Sequence, residues 1–254
     1  MNSTTRQILV ISSFVMTVTL NALANIIPIN GVTTGDLSDS IPNFFVPSGY
    51  VFSIWGVIYF LLGAFVVYQA LPSKKHNPIL KQIAPYFIAS GVFNSAWILL
   101  WHYQFVALSL VAMLGILGCL IAIYLKVGTG QYAVSRQEWF FVRLPFSVYL
   151  GWITVATVAN VTSVLVVNDW GALGLPEPLW SALMIVVASA VGGLMAIRHK
   201  DYAFVAVLVW AFTGIAVRFP DVLPVAITAI VMAVLVALTL FAVPRPTASY
   251  ASAD

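Results

Sequence analysis

Charge is what this chain has least of. Only 7% of its 254 residues are Asp, Glu, Lys or Arg, against 61% apolar. A soluble domain carries roughly 25% charged residues, because water must wet its surface. A surface this poor in charge excludes an ordinary soluble fold and points to lipid as the surrounding solvent. Runs of Lys or Arg are missing too, and the net charge is only +3. Nothing here tracks a phosphate backbone, so nucleic acid is excluded as a partner. Cys119 is the single cysteine. It makes no intrachain disulfide and no cysteine zinc site, and it reads as a small apolar filler. His76, His102 and His199 fall at or beyond the ends of the apolar runs, too scattered for a metal. His102 reads as an interfacial residue. HExxH, GxSxG and Walker patterns are absent, so no ordinary hydrolase or nucleotide site is expected.

What is present is long apolar runs. A membrane span takes about 20 mostly apolar residues. Eight segments qualify: Gln7–Ile29, Gly49–Leu71, Leu80–Tyr103, Phe105–Lys126, Trp139–Val167, Leu179–Ile197, Tyr202–Val217 and Val222–Val243. The seventh is short. The third and fourth nearly touch and predict a tight helical hairpin. The expected fold is therefore an all-α, polytopic integral membrane bundle. With the N-terminus in the cytoplasm, Arg6, Lys74, Lys75, Lys81, Lys126, Arg136, Arg143, Arg198, Lys200 and Arg245 all fall inside, and only Arg218 falls outside. Retained Lys and Arg set orientation, so this split predicts cytoplasmic N- and C-termini. Ala22-Leu23-Ala24 resembles a signal-peptide cleavage site. The apolar run continues past it, however, so an uncleaved span is expected. The loop Asn30–Ser48 reads as an external lid, and Pro244–Asp254 as a disordered tail.

No Asp or Glu lies in the middle of any predicted span, which argues against a proton-coupled carrier or an intramembrane carboxylate hydrolase. The spans do hold stripes. Ser13, Thr17, Asn21 and Asn25 recur every four residues. Asn94, Trp97 and Trp101 share a face, as do Tyr149, Trp152, Ala156 and Asn160, and Trp55 pairs with Tyr59. Such spacings stack side chains along one side of a helix. At about 1.5 Å per residue, Asn21, Trp55, Asn94, Trp97 and Asn160 lie about 9–13 Å below the outer ends of their spans, and Trp152 about 22 Å. Together they suggest an aromatic pocket with amides for orientation.

Structural readings compete. Buried Asn and Thr often act as interhelical hydrogen-bond glue. Trp101, Trp139, Trp170 and Trp180 read mainly as belt residues at the membrane surface, although Trp101 also continues the stripe of Asn94 and Trp97. For Trp55, Trp97 and Trp152, spacing alone does not separate pocket from packing. Ala188, Gly192 and Ala196 read as close helix contact. Arg218 is expected to pair with Asp221.

The stretch Val46-Pro47-Ser48-Gly49-Tyr50-Val51-Phe52-Ser53-Ile54-Trp55-Gly56-Val57-Ile58-Tyr59 resembles the second-helix signature of the TspO/translocator family, the tryptophan-rich sensory proteins. Tyr50 stands where that signature has its first Trp, and Ser48 where it has its second Pro. Asn94-Ser95-Ala96-Trp97 resembles the family's third-helix Asn-x-x-Trp. Leu144-Pro145-Phe146 through Trp152, Ala156, Thr157 and Asn160 resembles its fifth helix. The resemblance covers residues 5–167, a five-helix unit. It implies an extended eight-helix branch, with residues 168–243 as a three-helix extension. The family's cholesterol-recognition pattern fails, because no basic residue follows Tyr149 within five positions.

By resemblance, the chain is expected to bind a tetrapyrrole or another planar apolar ligand between the five helices. No cofactor is required. The candidate ligand contacts are Tyr50 at the mouth, Trp55, Tyr59, Asn94, Trp97, Trp101, Tyr149, Trp152, Ala156 and Asn160. A sensory or regulatory role leads. A transporter of lipophilic ligands, a scaffold, and a photochemical enzyme acting on porphyrin are the alternatives. The expected partners are membrane lipid, a small apolar ligand, and either a second copy or another membrane protein. The expected location is a bacterial inner membrane.

Overall fold

The computed structural model describes residues 2–242, and the predicted tail lies outside them. The elements run α1 (Ser3–Ile26), α2 (Thr34–Ser40), α3 (Ile54–Ala70), α4 (Pro78–His102), α5 (Val106–Val127), α6 (Arg136–Glu138), α7 (Leu144–Val167), α8 (Glu177–His199), α9 (Tyr202–Arg218) and α10 (Leu223–Ala242). A 3-10 turn, Gly49–Ser53, leads into α3, and a π turn, Trp139–Arg143, joins α6 to α7. Among the described residues there is no strand. Among these residues seven helical segments are long and apolar enough to cross a membrane. The eighth, α9, has 17 residues, about 26 Å of helix, at the lower limit for spanning. The protein is thus an all-helical polytopic membrane bundle.

Local sequence sets the helix ends. Asn2 caps α1 by accepting from Thr5 N at 2.7 Å. Asn77 caps α4, which begins on Pro78. Gly128 ends α5 in a left-handed conformation with φ 59°, a geometry that a side chain would strain. Asp201 caps α9 by accepting from Ala203 N and Phe204 N. The π turn has a cause. Pro145 has no N–H to donate, so the backbone ladder loosens just before it, and Leu144 N reaches five residues back to Trp139 O.

Helices α1, α3, α7, α5 and α4 form a ring in which each packs against the next. Helix α9 packs on α7, and α8 and α10 stand outside it. One cluster of buried apolar side chains runs from Val10 in α1 to Ala233 in α10, with no break after Val167. Outward faces remain apolar, as with Phe60, Val111 and Val234, which suits lipid as solvent. The small residues of α8 do make close contact. A Cβ on Gly192 would run into Leu208 Cδ2 of α9.

Candidate functional site

The loop after α1 folds down over the ring. Its short helix α2 carries a reciprocal cap between Thr33 and Asp36. The Thr33 hydroxyl and backbone N–H both donate to the Asp36 carboxylate and hold it below its ordinary pKa. Two α4 residues tether this lid. His102 is fully buried. Its ring nitrogens lie 3.0 Å from Thr34 Oγ1 and 3.0 Å from Ile29 O, and its carbonyl accepts from Asn30 Nδ2 at 3.0 Å. Next to it, the Trp101 indole points at Thr34 O over a long 3.5 Å. The expected interfacial role of His102 is therefore replaced by a structural one. Trp101 is likewise buried, not part of a surface belt.

The rest of the lid is fastened by α9. Ser48 N and Ser48 Oγ both donate to Gly214 O at 3.1 Å. Trp210 Nε1 donates to Val51 O at 3.1 Å. Arg218 pairs with Asp39 and donates to Pro47 O, so the expected partner Asp221 is replaced by a lid residue. Phe44 meets Phe219 edge-on, with ring centroids 5.2 Å apart.

Beneath the lid is a small cavity. Thr34, Ser38, Val46 and Pro47 roof it, Phe52, Trp55, Trp97, Trp101 and Trp152 wall it, and Val155, Ala156, Ala159, Asn160 and Ser163 of α7 complete it. Trp55 stands at the centre of the aromatic group. It stacks on Tyr59 and Trp97 with centroids 5.5 and 6.3 Å away, and meets Tyr149 and Trp152 edge-on at 6.1 and 6.2 Å. Trp97 in turn stacks on Trp101 at 6.1 Å. On the far side of Trp55 and Trp97 lies a second space of about 290 Å³ between α1 and α3, lined by Asn21, Asn25 and Tyr59 among others.

The polar atoms divide into spent and unspent. Asn94 is fully buried. It accepts from Asn21 Nδ2 at 2.7 Å and donates to Tyr149 OH at 3.0 Å. Asn160 Oδ1 accepts from Trp97 Nε1 at 3.2 Å, and its Nδ2 donates to Ser109 Oγ at 3.1 Å. These amides bond within the protein. The Trp152 indole N–H does not, being buried without a partner. Burying a donor unpaired is costly, and such an orphan is a natural handle for an acceptor on a bound molecule.

The structure thus brings Trp55, Trp97, Trp101, Trp152, Ala156 and Asn160 to one cavity. Tyr59 faces the second space. Asn94 and Tyr149 line neither and form a buried hydrogen bond behind the wall. Tyr50 does not sit at the mouth. It is 45% exposed and turned edge-on to Trp210 at 5.2 Å. Spacing had not pointed to Phe52, Thr34, Ser38, Ala159 or Ser163. Ser163 extends the α7 stripe by a further turn and Ala159 stands beside it, seven residues after Trp152, so both were findable from the period. The lid residues had no such signal. Among the described residues no three His, Cys, Asp or Glu side chains gather to hold a metal.

Fold and site together define a polytopic helical membrane protein with an aromatic, lidded cavity inside a five-helix ring. The chain belongs to the TSPO-like protein family, which matches residues 7–242 and so takes in α8–α10 as well as the ring. No curated protein and no solved structure matches it.

Proposed function

We propose that this protein binds a planar apolar ligand against the Trp55, Trp97 and Trp152 wall and that occupancy serves a sensory or regulatory role. The observation that carries this reading is the Trp152 indole N–H, buried and unpaired beside stacked aromatic rings. Aromatic faces bind planar rings by stacking, and the lone donor orients a polar edge. A tetrapyrrole is the ligand that the sequence resemblance suggests. The free space beneath the lid is about 50 Å³, whereas ligand sites hold about 300–1,000 Å³. Binding therefore requires the lid to lift or Trp55 to swing toward the second space. That coupling between occupancy and lid position is what would make the protein a sensor. The charge split supports cytoplasmic termini, and a bacterial inner membrane is the proposed location. Among the described residues no acid–base pair lines the cavity, and no enzymatic step is proposed.

The test is titration of protoporphyrin into the protein in lipid nanodiscs, read by tryptophan fluorescence. Saturable quenching at micromolar ligand is expected, and its absence in the wild type would overturn the reading. One observation favours a transporter instead: the second space abuts the same tryptophans from between α1 and α3. That alternative predicts ligand flux across vesicles, which a pure sensor does not produce.

A further inference from the structure

At the other end of the bundle, α1 and the turn before α4 enclose a second kind of site. A pocket of about 420 Å³ is lined by Arg6, Lys75, His76 and Lys81 together with Ser3 and Thr4 of the first turn of α1. Among the described residues no carboxylate lines it. The ion pair recorded among the described residues, Arg218 with Asp39, lies on the lid.

Arg6 is the informative residue. It is only 2% exposed. Its guanidinium makes one long bond, 3.3 Å from NH2 to Lys74 O, and its Nε has no partner. Burying a cation without an anion is costly. Retention of basic residues on one side of a membrane accounts for Lys and Arg at this end. It requires neither a pocket nor an arginine sunk into its wall. The surroundings are also fixed in place. Gln7 Nε2 donates to Gln69 O at 2.9 Å, and Gln69 Nε2 returns to Gln7 O at 3.4 Å, which locks α1 to α3 one residue along from Arg6. Lys74 is turned away over the Tyr68 ring at 4.7 Å, so Lys75 and Lys81 supply the outer charges. The start of α1 adds the positive end of a long helix.

We propose that this pocket binds a phosphate group, gripped by Arg6, Lys75 and Lys81. The chemistry is shared by an anionic phospholipid headgroup and by free phosphate. Basic pockets between helices at a membrane surface are suited to lipid headgroups, and this one lies at the N-terminal ends of two helices long and apolar enough to span, α1 and α4. The proposal is independent of the aromatic cavity, which lies under the lid at the far end.

The experiment uses the full chain in nanodiscs of equal phosphatidylglycerol and phosphatidylcholine, with retained lipid read by native mass spectrometry. Preferential retention of phosphatidylglycerol is expected, falling about fivefold for each lysine removed in Lys75→Gln and Lys75→Gln/Lys81→Gln. The lysine variants leave the buried Arg6 in place, and an unchanged melting temperature confirms their folding. Inorganic phosphate is then added at millimolar concentration to protein in the same mixed nanodiscs and followed by 31P NMR. A bound signal that also displaces phosphatidylglycerol assigns the site to free phosphate. Retention of phosphatidylglycerol undisturbed by phosphate assigns it to lipid. Equal retention of both lipids together with no bound phosphate overturns the proposal, as does a preference unchanged in the double variant.

Discussion

Trp152 and Asn94 are both buried in the ring, yet removing their polar atoms should have opposite consequences. Trp152→Phe deletes an N–H that bonds to nothing in the protein. The lost packing is offset by the relief of a desolvation cost of about 1–3 kcal/mol. Its melting temperature is therefore expected to stay near that of the wild type while porphyrin affinity falls about tenfold, the worth of one hydrogen bond. Asn94→Leu instead removes the Asn94 donor from the buried Tyr149 OH and one of the two bonds of Asn21 Nδ2, which keeps Thr17 O. A destabilisation of about 1–3 kcal/mol is expected, readable as a lower thermal midpoint in detergent. Helical spacing placed both residues on inward faces, and Trp55, Trp97, Trp152 and Asn160 were legible in that way. Whether a polar atom is already bonded to the protein is a property of the neighbouring helix. Spacing along one helix does not carry it. That is why Asn94 and Tyr149 read as ligand contacts and His102 as a surface residue. Arg218 shows the same gap over a longer range: its partner Asp39 is 179 positions away, and the nearby Asp221 was the wrong choice.

Among the elements, the lid is the piece whose position depends on the rest. Its loop was recognisable by its polar, Gly- and Pro-containing composition, but α2 and its mooring to α9 were not, because α2 spans only Thr34–Ser40 and its partners come late in the chain. Gly214 shows how closely lid and helix meet. An added Cβ would run into Val51 Cγ2 and lie 3.2 Å from Pro47 Cβ, and Val51 is itself fully buried. Gly214→Ala is expected to push the Gly49–Ser53 turn off α9. Amide exchange across residues 34–48 should then rise at least tenfold while α4 and α5 stay protected. Arg218→Ala should do less, because its pair with Asp39 is partly exposed and such pairs are worth about 0–1 kcal/mol. If exchange in the lid is the same in Gly214→Ala as in the wild type, α9 is not what holds it.

For the molecule as a whole, the apolar runs gave nearly all of the architecture, and the eight predicted segments coincide with the eight long helices to within a few residues. The exception in strength is α9, whose 17 residues sit against α7 and the lid turn. It reads as a weak span because it is short, and its buried residues face protein. The lopsided distribution of Lys and Arg supports an orientation that labelling can check. In intact cells, a membrane-impermeant maleimide should modify Asn168→Cys in the loop before α8 and leave Ala133→Cys in the loop after α5 untouched until lysis. The reverse pattern would invert the bundle. Where the lid is moored also has a consequence in time. Ser48 and its acceptor Gly214 are 166 positions apart. At roughly 5–20 residues per second, a ribosome needs about 10–30 s to cover that distance. The aromatic wall is complete only once Ser163 is made, so for the last stretch, roughly 3–10 s, the wall stands while its cover is held by α4 alone and lacks its α9 mooring. A molecule too bulky to pass the finished lid has this window in which to be enclosed as the protein is born.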